Sequence, residues 1–277
     1  MAGHSLRFAV NCSILFTELP LLERPAAAKA AGFDAVESWW PFAEAVPADR
    51  EVDAFVGALA DAGVELVALN FFAGNMPGGD RGVMSWPGRE QEFRDNVAVV
   101  AAIAERTGCR LFNALYGNRV EGADPAAQDD LAAENLRYAA DAVAGFGGTV
   151  LVEAVSGPQP YPLRTAADAV AAIDRAGADN VRFLADLYHL SVNGDDLDKV
   201  IAQYTDRIGH AQIADAPGRH QPGTGQLDLD GYLAKLEQAG YRGRVGLEYA
   251  PSGPSADSFG WLARERRSSK PREETWT

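Results

Sequence analysis

Short apolar runs rich in Val, Leu and Phe alternate along the chain with longer, Ala-rich stretches whose apolar residues recur at helical spacing. The short runs predict β-strands, and the longer stretches predict amphipathic helices. The eight predicted strands are, in chain order, RFAVNC, FDAVES, VELVALNF, CRLFNALY, TVLVEAV, VRFLADLY, HAQIAD and RVGLEY. The clearest predicted helices are REVDAFVGALADAG, REQEFRDNVAVVAAIAERTG and TAADAVAAIDRAG.

Glycine follows many of the predicted helices just before the next strand begins. A residue in that position commonly adopts a left-handed backbone, which glycine does at little cost. We therefore expect helix ends at Gly32, Gly63, Gly108, Gly177 and Gly240.

Eight strands that alternate with helices in 277 residues favour the α/β class and a single (β/α)₈ TIM barrel. A doubly wound open sheet is the main alternative, but its G-x-G-x-x-G fingerprint does not follow the first strand. We predict one barrel domain over residues 1–265 and a charged C-terminal tail over residues 266–277.

Composition narrows the classes of function. A hydrophobic content of 47% with 23% charged residues is ordinary for a soluble globular protein. The net charge of −14 disfavours nucleic acid and anionic membranes as partners. Cys12 and Cys109 each lie at or beside an apolar segment, which predicts buried thiols and no disulfide framework. No signal peptide or membrane-spanning run is evident, so we expect a cytoplasmic protein.

Candidate chemistry lies at the ends of the last four predicted strands. Each of these strands carries one oxygen-bearing side chain at or near its carboxyl end, namely Glu153, Asp186, Gln212 and Glu248. In a TIM barrel this rim holds the active site. Like charges gathered there repel one another, and a divalent cation would offset this repulsion. Three carboxylates and one amide oxygen form an all-oxygen set that favours Mg²⁺ or Mn²⁺.

The alternative interpretation is that each carboxylate caps a helix or pairs with an arginine. This interpretation explains a single strand-end carboxylate better than it explains four oxygen-bearing residues on successive strands. Glu37 ends the second strand in the same way, but we expect it to lie across the barrel as a structural carboxylate.

Three further polar residues lie near this rim. His189 either contacts a substrate oxygen or packs in the protein, and we favour the substrate contact. His210 is expected deeper in the barrel as a core histidine. Arg219, on a Gly/Pro-rich loop, is suited to hold a carboxylate or hydroxyl-rich substrate; a surface ion pair is nearly as consistent with its spacing.

The stretch IGHAQIADAPGRHQPGTGQLDLDGYLAKLEQAGYRGRVGLEYAP resembles the hydroxypyruvate isomerase family of xylose isomerase-like barrels. Further similar segments are FTELPLLERPAAAKAAGFDAVESWWP, RGVMSWPGREQEFRDNV and ADLYHLSVNGDDL, so the resemblance extends over nearly the whole chain. The chain departs from the family pattern at Ser156, Gln221 and Gln226, near the barrel mouth, which leaves the exact substrate open.

The resemblance implies that Glu153, Asp186, Gln212 and Glu248 are metal ligands. It further implies that Glu153 and Glu248 transfer the proton and that His189 and Arg219 contact the substrate. The implied reaction is an aldose–ketose-type isomerisation of a small hydroxy-oxo acid, hydroxypyruvate to tartronate semialdehyde, through a cis-enediolate.

Other members of this superfamily leave alternatives open. A ketose 3-epimerase or a 2-oxo-tetronate isomerase would use the same metal site. An endonuclease on this barrel would need a His-rich site and a basic face, which four histidines and the acidic charge disfavour. A binding protein without activity is disfavoured by the complete ligand set. The expected partner is a small oxo-acid or sugar; a homo-oligomer stays possible.

Overall fold

A computed structural model describes residues 3–268 and shows a closed barrel of eight parallel strands that neighbour one another in chain order. The first and last strands close it through the register Phe8↔Val245. The strands are β1 Phe8–Asn11, β2 Ala35–Ser38, β3 Glu65–Asn70, β4 Leu111–Asn113, β5 Thr149–Glu153, β6 Val181–Asp186, β7 Ile208–Ile213 and β8 Val245–Leu247. The predicted α/β class and TIM barrel are confirmed.

Helices surround this barrel. They are α1 Arg24–Ala30, α2 Asp49–Ala62, α3 Glu90–Thr107, α4 Pro125–Ala144, α5 Ala166–Ala176, α6 Leu187–Asn193, α7 Leu197–Tyr204 and α8 Leu229–Gln238. Both α6 and α7 lie between β6 and β7. Within residues 3–268, two 3₁₀ turns, Ser255–Phe259 and Arg264–Arg266, follow β8 in place of a full helix.

The glycines predicted at helix ends all adopt a positive φ, from 61° at Gly63 to 110° at Gly240. An L-residue with a Cβ reaches this region only with strain. The helix ends predicted from these glycines are therefore confirmed.

The main hydrophobic core lies between the barrel wall and the helices, and large aromatic side chains fill much of it. Phe8, Phe33, Phe112 and Phe183 are completely buried. Cys12 and Cys109 are buried and free, as predicted. No helix in the described part of the chain has the length and apolarity needed to cross a membrane.

Only the first three residues of the predicted tail, 266–268, are described. The Arg267 guanidinium donates to the carbonyls of Ala31 at 2.8 Å and Phe259 at 2.9 Å, so this residue packs against the barrel. Residues 269–277 lie outside the described range, and the domain boundary at 265 stays a prediction.

Candidate active site

A ring of buried polar side chains lies at the carboxyl end of the barrel. Every strand contributes one residue at or directly after its last positions, and all are buried: Asn11, Glu37, Asn70, Asn113, Glu153, Asp186, Gln212 and Glu248. Side chains that end parallel strands of a closed barrel converge on its axis. The four predicted site residues are therefore brought to the same rim.

Glu153 and Glu248 are held by different sets of donors. Asn113 Nδ2 donates to Glu153 Oε2 at 2.8 Å. Glu248 accepts from the Trp39 indole at 2.6 Å and from the Arg219 guanidinium at 2.6 Å, with Asn11 Nδ2 at 3.1 Å. Glu248 is thus the more strongly anchored of the two carboxylates.

Asp186 and Gln212 are register partners on β6 and β7. Asp186 Oδ1 accepts from the backbone of Tyr188 at 2.8 Å and so caps α6. Gln212 Nε2 donates to Glu37 Oε1 at 2.7 Å. The remaining oxygens, Asp186 Oδ2 and Gln212 Oε1, are buried and accept no hydrogen bond within the described residues. Buried acceptors without partners are costly, so each marks a position where a cation would be stabilising.

Ligand atoms of Glu153, Asp186, His189 and Glu248 all lie within 4.8 Å of one another, and a cluster of this kind could hold a metal ion. Burial, followed by the charges of Glu248 and Asp186, raises the pKa of Glu153 well above its usual range. Burial also raises the pKa of Asp186, despite the opposing charge of Arg219. The pKa of Glu248 is raised to about 7, again chiefly by burial. Three buried carboxylates without a cation thus disfavour their charged forms, and a divalent ion reverses that preference.

His189 faces this cluster through one nitrogen. The backbone N–H of Ser156 donates to His189 Nδ1 at 3.1 Å, which leaves the ring proton on Nε2. Burial, then the charge of Arg219, lowers the pKa of His189 to about 3, so the ring is neutral. Nε2 lies 3.6 Å from Asp186 Oδ2 and 3.9 Å from Glu153 Oε1. A protonated Nε2 cannot ligate a metal, but it can donate to an oxygen bound in the site.

Arg219 lies inside the site and not on the surface. Its Nη2 is 2.6 Å from Glu248 Oε2 and 3.9 Å from Asp186 Oδ2. Its φ of 58° is unusual for a residue with a side chain. Such backbone strain persists only where the surroundings hold it, and it is frequent at functional sites.

Glu37 lies on β2, two to four strands away from the strands of the other four residues as expected, but its side chain spans the barrel. Glu37 contacts Gln212, and its Oε2 lies 2.7 Å from His210 Nε2. Gly246 on β8 makes room for it, because a Cβ there would lie 2.5 Å from the Glu37 carboxylate. The long side chain therefore reaches over β1 toward β8. Its carboxylate holds the amide of Gln212, so the expected structural role fits its contacts.

His210 is buried as expected, below the rim on the same strand as Gln212. It is only half satisfied, since Nδ1 has no partner among the described residues while Nε2 meets Glu37.

Several residues that hold the site were not predicted. Asn11 and Asn113 end strands as the predicted site residues do, and their amides donate to Glu248 and Glu153. Trp39 follows the second strand and gave no sequence signal for its bond to Glu248.

Asp215 organises the loop that carries Arg219. Its two carboxylate oxygens accept four backbone N–H groups, from Ala216 and Leu227 on one oxygen and from Gly223 and Gly225 on the other. Burial alone would raise the pKa of Asp215, but these four donors outweigh it and lower the pKa. A charged aspartate is thus built into the loop.

Asp215→Asn should lower the free energy of unfolding by about 1–3 kcal/mol at neutral pH, because an amide nitrogen would face two N–H donors. A lowered folded-state pKa contributes stability above the unfolded value and loses it as pH falls through the folded value. The difference between the two proteins should therefore be full at pH 7 and shrink below about pH 4. Urea denaturation across this range measures it.

Asp228→Asn is the matched control. Asp228 caps α8 by accepting from Gly231 N, and asparagine caps a helix equally well. An Asp215→Asn protein as stable as the control variant would contradict the loop's dependence on this carboxylate.

A cavity of about 960 Å³ opens above the cluster. Its wall includes Glu153, His189, Arg219 and Glu248 together with the aromatic side chains of Trp39 and Phe72. Polar groups at the base of a partly apolar cleft are typical of a small-molecule site.

A family model described as xylose isomerase-like TIM barrel matches residues 25–265. A putative hydroxypyruvate isomerase of Streptomyces coelicolor is 56% identical over 273 residues, which cover 95% of this chain and 98% of that one. The hydroxypyruvate isomerase of Escherichia coli is 33% identical over 259 residues, 93% of this chain and 98% of that one.

Among solved structures, one described as an AP endonuclease of family 2 from Brucella melitensis is 37% identical with a TM-score of 0.87. It covers 94% of this chain and 99% of that one. The match of the family model and the high identity to the two isomerases confirm the resemblance read from the strand-seven loop. The chain therefore belongs to the xylose isomerase-like TIM barrel family and, within it, to the hydroxypyruvate isomerases.

Proposed function

We propose that this protein is a metal-dependent isomerase that interconverts hydroxypyruvate and tartronate semialdehyde. The observation that carries the proposal is the buried cluster of three carboxylates, with oxygens of Asp186 and Gln212 at its edge that have no partner among residues 3–268. The kinship with hydroxypyruvate isomerases supplies the substrate. We expect the enzyme to act in the cytoplasm.

Mg²⁺ or Mn²⁺ fits this site, and we propose Glu153, Asp186, Gln212 and Glu248 as its ligands. The donors are all oxygens, which these hard cations prefer. Burial raises the pKa values of all three carboxylates even though Arg219 lies beside them, so a further cation would stabilise their charged forms. When bound, the ion would polarise the substrate carbonyl and stabilise negative charge that develops on it.

Glu153 and Glu248 are the proposed proton carriers. One carboxylate takes the proton from C3, the carbon that bears the hydroxyl group, and the enediolate then receives a proton at C2. The hydroxyl proton passes from O3 to O2, so that C3 becomes the aldehyde and C2 the carbinol carbon. Both side chains lie in the cavity wall, which a substrate would share. His189 Nε2–H and the Arg219 guanidinium are placed to donate to the substrate oxygens while the charge moves.

A longer substrate is the alternative that one observation favours. A cavity of about 960 Å³ is roomy for a three-carbon acid. A 2-oxo-tetronate isomerase or a ketose 3-epimerase would need the same proton transfer on a longer chain.

The endonuclease description of the Brucella protein is not extended to this chain. Of the four histidines, His189 alone joins the metal-competent cluster in the described residues. His210 pairs with Glu37, and His220 with the Ala250 carbonyl. The net charge of −14 opposes a DNA backbone.

The test is proton exchange followed by NMR in D₂O. The protein loaded with Mn²⁺ or Mg²⁺ is incubated separately with hydroxypyruvate, a 2-oxo-tetronate and a ketose. We expect the fastest loss of the C3 proton signal with hydroxypyruvate, together with the formation of tartronate semialdehyde. If a longer substrate turns over faster, it replaces hydroxypyruvate as the proposed substrate. No proton exchange with any of the three compounds would reject the isomerase proposal.

A further inference from the structure

Arg81 lines the same cavity as the cluster and has no role in the mechanism above. It follows β3, in the loop that leads to α3, and is partly buried. Its charge is close enough to the site to contribute to the lowered pKa of His189. A cation so placed faces whatever occupies the cavity.

The Arg81 guanidinium has no acidic partner in the described part of the chain: no carboxylate oxygen lies within 4.0 Å of it. Its Nη1 donates to the carbonyls of Met76 at 3.1 Å and Asp80 at 2.7 Å. The neighbouring Asp80 carboxylate is engaged elsewhere, by the Asn75 N–H at 2.8 Å. Among residues 3–268, Nε and Nη2 of Arg81 donate to no acceptor.

The other arginines of the cavity wall are occupied. Arg219 pairs with Glu248, and Arg89 forms a two-pronged ion pair with Glu92 at 2.5 and 2.8 Å. Arg24 donates to the carbonyls of Leu19 and Cys12 and so braces the chain after β1. Arg81 is thus the arginine of this wall that combines proximity to the cluster with free donors.

The backbone holds Arg81 firmly. Its carbonyl accepts from Gly117 N at 2.9 Å, and Gly82 N donates to the Ala73 carbonyl at 2.9 Å. Gly82 has a φ of 100°, and a Cβ on it would lie 1.9 Å from the Leu115 carbonyl oxygen. The loops after β3 and β4 can meet this closely only because residue 82 is glycine, and their contact fixes where Arg81 projects.

The balance of charge in the cavity also favours the binding of an anion near Arg81. A divalent ion and Arg219 together would neutralise the three carboxylates, so a substrate carboxylate needs a further cation. Burial, then the charge of Arg219, lowers the pKa of Arg81 against the opposing charge of Asp80, so the two guanidinium groups repel each other across this part of the cavity. An anion between them relieves that repulsion.

We propose that Arg81 binds the carboxylate of the substrate and makes the enzyme select oxo-acids over neutral ketoses. The inference rests on the proposed function, because it assumes an oxo-acid. It assigns specificity to a loop after β3, whereas proton transfer lies on β5 and β8.

Arg81→Gln and Arg81→Lys test this in the metal-loaded protein, with Arg242→Gln as the matched control. Arg242 lies before β8 and outside the cavity wall, and its Nη1 likewise donates to two backbone carbonyls, those of Glu237 and Tyr241. Dihydroxyacetone serves as the neutral counterpart of hydroxypyruvate, with CH₂OH in place of the carboxylate. Arg81→Gln should raise KM for hydroxypyruvate by about 10- to 100-fold with a small change in kcat, since a uniform binding contact is lost. Exchange on dihydroxyacetone should change by less than about 3-fold. Arg81→Lys should retain part of the affinity, and Arg242→Gln should match wild type.

A binding assay separates this inference from the proposed function. D-Glycerate keeps the carboxylate but has no carbonyl, so its dissociation constant, measured by titration calorimetry, needs no turnover. We expect Arg81→Gln to weaken D-glycerate binding by a similar factor. Unchanged D-glycerate affinity and KM would overturn the role of Arg81, as would an equal loss with dihydroxyacetone or in Arg242→Gln. Wild-type protein that binds D-glycerate but does not enolise hydroxypyruvate would reject the proposed function and leave the Arg81 result to stand by itself.

Discussion

Glu153→Gln and Glu248→Gln should each lower kcat by at least about 10²–10⁴-fold, the range that general base catalysis contributes. Each variant keeps an amide oxygen where the carboxylate had one. In Glu153→Gln that oxygen can still accept from Asn113, so the side chain should keep its position. What each variant loses is the ability to accept a proton. The loss should therefore appear mainly in kcat, with a smaller change in KM.

The double variant should lose little more than either single variant, because one proton path needs both groups. Asp186→Asn is the contrasting variant: it weakens a proposed ligand without removing a proton carrier, so excess metal should largely restore its activity. Near-normal turnover of either glutamine variant at saturating metal would show that this glutamate is only a ligand. His189 would then be the next candidate for the proton carrier.

Thermal melting of the chelated proteins provides the folding control. Each glutamine variant removes one of three buried carboxylates that repel one another. Without metal, Glu153→Gln should melt at or above the wild-type temperature. Glu248→Gln should melt lower, because both Glu248 oxygens accept hydrogen bonds and the new amide nitrogen would face Arg219 or Trp39. A lower melting temperature of Glu153→Gln would indicate that its lost activity reflects damaged folding.

Removal of divalent metal with EDTA should abolish isomerisation, and Mg²⁺ or Mn²⁺ should restore it. The physical reason is the cluster itself, in which three buried carboxylates carry raised pKa values in the absence of a cation. Without the ion, burial favours the protonated form of groups that must accept a proton, and negative charge on the substrate oxygen lacks its counter-charge.

Metal should also stabilise the fold. A ligand present at 100 times its dissociation constant adds about 2.7 kcal/mol to the free energy of unfolding. Titration of the chelated protein with Mn²⁺ should raise the melting temperature, and the rise should be smaller in Asp186→Asn. Full activity after exhaustive chelation would reject the metal-dependent mechanism, and an unchanged melting temperature would reject the ligand set.

The strand and helix pattern could be predicted almost completely from the sequence. Apolar runs marked all eight strands, and glycines marked helix ends, because burial and left-handed backbone are properties of local sequence. Glu153, Asp186, Gln212 and Glu248 could be found for the same reason. In a parallel barrel, the end of a strand is enough to place a side chain on the rim.

Contacts around these residues could not be predicted in this way. Glu37 reaches Gln212 only because Gly246 leaves a gap in β8, and a missing Cβ on a strand distant in sequence gives no local signal. The bond from Trp39 to Glu248 and the pinning of Arg81 by Gly82 likewise depend on loops that meet in space.

By itself, the sequence determined the class of fold, the rim and the carboxylates on it, since hydrophobic periodicity and strand-end position are encoded in neighbouring residues. Tertiary structure decided the burial, the hydrogen-bond partners and the pKa values of those groups. It buried three carboxylates within reach of one another, left oxygens of Asp186 and Gln212 without donors from residues 3–268, and brought the Ser156 N–H to Nδ1 of His189. Burial and the distance between charges determine pKa values and hydrogen-bond partners, and both arise only when strands far apart in the chain close into a barrel.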